Sequence, residues 1–240
     1  MRARHLGSAV CLSAGLWAVP APTAAATNAE LRATPAASAN ARILQRVAQV
    51  AHNLRESRCN HATVVDEKRG RYEFDCSGFV TWLLRRTAPG AHAALLARSQ
   101  FQRPLARDYF WELSQAPTGE RTPGGLRKIS RIDAAEPGDI VAWLKPSVVQ
   151  SPHTGHVAII VEAPAPTPEV PGGFLVRIVD ASSYQHDSDD RYESGRTGFG
   201  SGTILLVADP ETGAPRAYGW FGLRSRYVLE TSIAIGRVTR

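Results

Sequence analysis

A chain of 240 residues, 43% hydrophobic and 21% charged, has the length for one core and the composition of a packed domain, which excludes a disordered tail or adaptor. Its formal charge of +6 resembles a nucleic-acid signal, but phosphate recognition wants Lys and Arg clustered on one face, and the smaller charge of the chain once trimmed and exported argues against such a partner. Cysteines at 11, 59 and 76 neither staple a miniprotein nor supply the paired CxxC units of a structural zinc, so the fold must stand on its core.

Residues 1–26 have the layout of a secretory signal: Met1-Arg2-Ala3-Arg4-His5, an apolar stretch from Leu6 to Val19, then a segment ending in Ala24-Ala25-Ala26. The apolar run is short for a bilayer span, so the mature chain is expected to be exported to the periplasm or beyond the cell, with no integral membrane segment. Cleavage after Ala26 removes Arg2, Arg4, Cys11 and no acid, leaving +4. Residues 27–39, rich in Ala, Thr and Pro, read as a tether, and 40–240 as a single domain.

From Asn40, a candidate cap, Ile43, Leu44, Val47, Val50, Ala51 and Leu54 recur at helical steps and predict an amphipathic helix. Residues 58–73 read as polar and irregular. A second helix is predicted from Cys76 to Arg86, stopped by Pro89-Gly90, followed by helical segments at 91–98 and 106–115 and a loop from Pro117 to Gly125. The period then changes. Ile140–Leu144, His156–Glu162, Phe174–Val179, Thr203–Ala208, Arg216–Phe221 and Ser232–Val238 are β-rich runs between Gly, Pro and Asp turns. Helices first and strands second predict an α+β domain whose antiparallel sheet has five to six strands.

Cys76 opens the second helix, where unpaired N–H groups and the helix dipole favour a thiolate. His156 opens an apolar strand and Asp180 closes another, and an antiparallel sheet can set such ends side by side. Cys76, His156 and Asp180 are thus the candidates for nucleophile, general base and the group that orients the imidazole. As an orienting group, Asp180 is expected to be partly replaceable by water. His61, His153 and His186 compete for the role of base, but each lies in loop sequence with no strand to aim it. Asp187, Asp189 and Asp190 read as a solvated acidic loop flanking a groove, without the spacing of a calcium loop.

Four segments, Tyr72-Glu73-Phe74-Asp75-Cys76-Ser77-Gly78-Phe79-Val80, Pro137-Gly138-Asp139-Ile140-Val141, Gly155-His156-Val157-Ala158-Ile159 and Ile178-Val179-Asp180-Ala181-Ser182, together resemble the NlpC-type cysteine peptidases. The resemblance spans roughly residues 40 to 240. It implies a papain-like fold and the roles above for Cys76, His156 and Asp180, although relatives more often carry His, Asn or Gln at the third position. The tyrosine that usually precedes the family's cysteine by about a dozen residues has no counterpart, the nearest being Tyr72. Tyr72, Asp75 and Ser77 are the candidates for substrate contact, with support of the helix start as the other role open to Asp75 and Ser77. Asp139 is expected to bond local backbone in the Pro137-Gly138 turn. The implied activity is hydrolysis of an amide in peptidoglycan, between D-glutamate and a diamino acid of the stem peptide, through a thioester and with no cofactor or metal. Amidase or transglutaminase-like chemistry, and a wall-binding module without catalysis, are the alternatives.

Overall fold

The computed structural model describes residues 37–99, 103–119, 122 and 124–239. The expected export signal at 1–26 and the first part of the tether lie outside them. The tether's last residues do not extend it: Ser38, rather than Asn40, caps the first helix by accepting the Ala41 N–H at 3.1 Å, and α1 runs Ala39–Asn53.

The segment expected to be irregular holds three short strands, β1 (Glu56–Arg58), β2 (Val64–Asp66) and β3 (Arg71–Glu73), in a small sheet ordered β1-β3-β2. Three helices follow: α2 (Cys76–Thr87), α3 (Pro89–Arg98) and α4 (Ala106–Gln115). Pro89 does not merely stop α2; it starts α3, because a residue without an N–H costs nothing in a first helical turn.

The large sheet has nine strands rather than five or six, and every ladder in it is antiparallel among the described residues. They are β4 (Leu126–Ile129), β5 (Ile140–Leu144), β6 (Gly155–Ile160), β7 (Ala165–Thr167), β8 (Gly173–Ser182), β9 (Gly198–Ala208), β10 (Pro215–Gly219), β11 (Leu229–Glu230) and β12 (Ile233–Val238). The order is β11-β10-β9-β8-β6-β5-β12-β4, with β7 beside β8.

Both faces of the sheet are buried, which is why its central strands read as continuous apolar runs instead of alternating ones. Ile140, Ala142, Val157, Ile159, Val179 and Ala181 join the core formed with α1 to α4. Val141, Trp143, Ala158, Ile160, Val176 and Ile178 form a second core on the other face with Ile204, Leu206 and Tyr218. His156 and Asp180 continue the alternation of Ala158–Ile160 and Val176–Ile178, so both belong to this second face. Asp139, at the turn into β5, is fully buried. It accepts the local Glu136 N–H at 2.8 Å and also two bonds from Arg237 and one from Asn40, so the turn ties β12 and α1 together.

Candidate active site

Asp75 has the residue type for an N-cap, and its Oδ1 accepts the Gly78 N–H at 2.7 Å and the Ser77 hydroxyl at 3.1 Å. Arg103 forks onto both Asp75 oxygens at 2.9 and 2.6 Å and donates to Ser77 Oγ at 2.7 Å, while His61 Nδ1 reaches Asp75 Oδ2 at 2.9 Å. Asp75 and Ser77 therefore hold the start of α2 in place. Their polar atoms are committed to that task, and Ser77 is buried, so neither is free for substrate. Tyr72 is also withdrawn from substrate: it is 1% exposed, its ring packed against Phe74 and Trp82 at centroid distances of 6.4 and 6.0 Å.

Burial alone would raise the pKa of Asp75, but Arg103, His61 and the Gly78 amide hold it below the usual carboxylate range. A carboxyl with a depressed folded-state pKa contributes stability above its unfolded value, about 4, and loses it as the pH falls through the folded one. Replacing Arg103 with Met is expected to cost about 1–3 kcal/mol at neutral pH and to flatten the acid limb of stability, as read by urea melts from pH 7 down to 2. An unchanged acid limb would contradict the strap.

Cys76 occupies the first position of α2 and is half-buried and free, as is Cys59. Its sulfur accepts the backbone N–H groups of Val157 and of Ser77. Val157 can offer that N–H because β8 pairs with β6 at Ile159 and Ile160, leaving the start of β6 open on that side. The nucleophile candidate is thus tied to the amide next to His156. The helix start does not make it a resting thiolate, contrary to the expectation from position alone. Burial, followed by the charge of Asp75, pushes the thiol up to about 12, against the pull of the two amides.

His156 owes its place to Gly155. A Cβ at 155 would lie 1.9 Å from the Trp143 carbonyl on β5, at a φ of +146°, so only glycine lets β6 begin against its neighbour there. The ring of His156 is held between Trp143 and Trp220, each with its centroid at 5.0 Å. Its Nε2 meets Asp180 Oδ2 at 2.7 Å. A carboxylate accepts, so Nε2 carries the proton and Nδ1 is left with the lone pair a base needs. Burial draws the ring below the ordinary histidine range, against the opposing pull of Asp180. The resting pair is thiol and neutral imidazole.

Asp180 is fully buried and shared. His186 Nε2 meets the same Oδ2 at 2.9 Å, and Arg191 Nη1 lies 3.0 Å from Oδ1. Burial would raise its pKa, but His186, His156 and Arg191 overcome that and hold it far below the carboxylate range. The segment around His186 is consequently not a solvated acidic loop: His186, Asp189 and Arg191 are buried, while Asp187 pairs with Arg224 and Asp190 stays exposed. Sequence reasoning missed Arg191, Trp143 and Trp220, and read His186 as unaimed. The other two competitors, His61 and His153, are exposed at the surface with ring centroids 5.7 Å apart.

His156, Asp180 and His186 bring three ligand-type atoms within 4.8 Å of one another. The electrostatics favour hydrogen bonding over a metal, because a cation there would displace both ring protons and face the guanidinium already fixed on Asp180.

No family model and no solved structure matches the chain. Over 182 residues it is 30% identical to an uncharacterized protein of Acanthamoeba polyphaga mimivirus, an alignment covering 68% of this chain and 77% of the viral one. With that extent of shared sequence, the chain belongs to the same family as this mimivirus protein.

Proposed function

We propose that this chain is a cysteine hydrolase of the NlpC type, papain-like in fold, that cuts an amide bond in peptidoglycan stem peptides. The observation that carries the reading is the single constellation at the start of β6: Cys76 bonded to the Val157 amide, with the adjacent His156 held by Asp180 in the tautomer of a base. The four motif segments supply the family, and the segment at 1–26 supplies export. Among the described residues no helix is long and apolar enough to cross a membrane.

In the proposed reaction, His156 Nδ1 takes the Cys76 thiol proton as the sulfur attacks the amide carbon. The developing oxyanion is stabilised by the backbone N–H of Cys76. The tetrahedral adduct collapses to a thioester as the imidazolium returns its proton to the leaving amine. Water, deprotonated by the same nitrogen, then releases the acid and restores the thiol. Because the resting thiol is pushed up and the imidazole down, proton transfer accompanies attack, and the rate should hold into mildly acid pH before His156 is protonated.

Digestion of purified sacculi followed by mass spectrometry of the products tests the reading. The expected result is stems truncated after D-glutamate. Intact stems released from bare glycan would assign an amidase, and new joined species in the presence of an amine acceptor would assign a transferase. Unchanged sacculi that sediment with the protein would replace hydrolysis with binding.

A further inference from the structure

The connection from β8 to β9, residues 183–197, has exposed positions at Tyr184 and Tyr192 but buries His186, Asp189 and Arg191. It returns along β9: Asp187 and Thr203 exchange both backbone bonds at 3.1 and 2.7 Å, and the Asp190 N–H donates to Ser201 O at 3.0 Å. Gly200 and Gly202 make room for it on the face that carries Asp180, since Asp180 pairs with Gly200 and Ile178 with Gly202 across the ladder. A Cβ at 200 would lie 2.5 Å from Arg191 Cδ, and one at 202 would lie 2.6 Å from His186 Cβ. The returning segment thereby delivers His186 and Arg191, both 0% exposed, onto the carboxylate.

Both ring nitrogens of His186 face oxygens that only accept: Nδ1 meets the Trp220 carbonyl at 3.1 Å and Nε2 meets Asp180 at 2.9 Å. Both contacts are hydrogen bonds only if both nitrogens carry protons. Arg191 is in turn held by Asp189 through Nε at 2.8 Å and Nη2 at 2.6 Å, and it donates to Gly198 O at 2.8 Å. Two carboxylates, a guanidinium and the His186 ring close on one another in the interior.

We propose that His186 and Arg191 are positioning residues of the candidate site: they pin Asp180 on His156 and balance its charge, so that His156 serves as a neutral base. This rests on the reading of His156 as the base for Cys76. An Asp180 bonded to His156 alone would draw a proton onto that ring; here its charge is already met from two other sides. The charged and titratable groups acting on His156 are Asp180 from β8 and His186 and Arg191 from the returning segment, while Cys76 from α2 meets the amide of the next residue, Val157. Asp75 lies beyond Cys76, and Cys59 faces Asp180 and Arg191 from the end of β1. His186 and Arg191 are the two of these that oppose protonation of His156.

The test is the pH dependence of sacculus hydrolysis and of Cys76 alkylation in the full chain and in His186→Gln, which keeps a donor and removes the charge. The acid limb of both profiles is expected to move up by about one pH unit or more, with kcat falling more than KM changes. Superimposable profiles would overturn the proposal. If His186→Gln does not fold, nitrogen-15 NMR of the histidine-labelled wild type decides. One buried ring should carry protons on both nitrogens at neutral pH and another on Nε2 alone, whereas two singly protonated buried rings would overturn the proposal. The NMR result stands whether or not sacculi are cut, so failure of the charge arrangement and failure of the hydrolase reading are separable.

Discussion

Asp180→Ala should cost about 3–5 kcal/mol of stability, because it strands His186 and Arg191 in the interior with only Asp189 to oppose them. For a domain of this size that is a fall of roughly 10 °C in Tm. The loss of activity should exceed what unfolding explains, since His156 loses the partner that sets its tautomer. Asp180→Asn, which keeps the shape and one oxygen, should melt higher than Asp180→Ala and lose roughly 10²- to 10⁴-fold in kcat. A thermal melt and a rate measured on each variant check both parts. An Asp180→Ala protein that matches wild type in both would remove Asp180 from the site. The expectation from sequence, an orienting group partly replaceable by water, did not include the buried His186 and Arg191.

Much of the scaffold was legible because fully buried strands have a distinctive composition. Ile140–Leu144 and Ala106–Gln115 coincide with β5 and α4 at both ends. The three-residue strands β1 to β3 were not legible: Glu56, Arg58, Asp66, Arg71 and Glu73 are polar, and three residues are too few to show alternation. Strands β4, β7 and β11 were missed for the same shortness, which explains nine strands where five to six were expected. At the site, Cys76, His156 and Asp180 could be singled out because each stands at or near the end of a run of clear period, although β8 continues past Asp180 to Ser182. Tyr72 was misassigned because its neighbourhood in sequence, beside Cys76, outweighed the burial that pairs it with Trp82. His186 looked unaimed because what aims it is not local. The signal was the alternation Gly198, Gly200, Gly202 on β9, a strip of strand without side chains that has meaning only once something lies on it.

On the proposed mechanism, Cys76→Ala and His156→Ala should each lower turnover on the order of 10⁶-fold, to what binding alone provides, because the nucleophile and base it assigns act as a unit. Cys76→Ala should melt close to wild type, which separates loss of chemistry from loss of fold. The double variant should be no worse than either single one.

The dependence of Cys76 on His156 is most directly tested by iodoacetamide labelling followed by peptide mapping, in wild type and in His156→Ala, from pH 5 to 11. A thiol pushed up to about 12 by its surroundings is inert at neutral pH unless a base beside it takes the proton. Wild-type Cys76 is therefore expected to label at neutral pH, faster than Cys59, and in His156→Ala to label only toward the alkaline end. Equal labelling of Cys76 in the two proteins across the whole range, or no labelling of wild type where a model thiol reacts, would contradict the account.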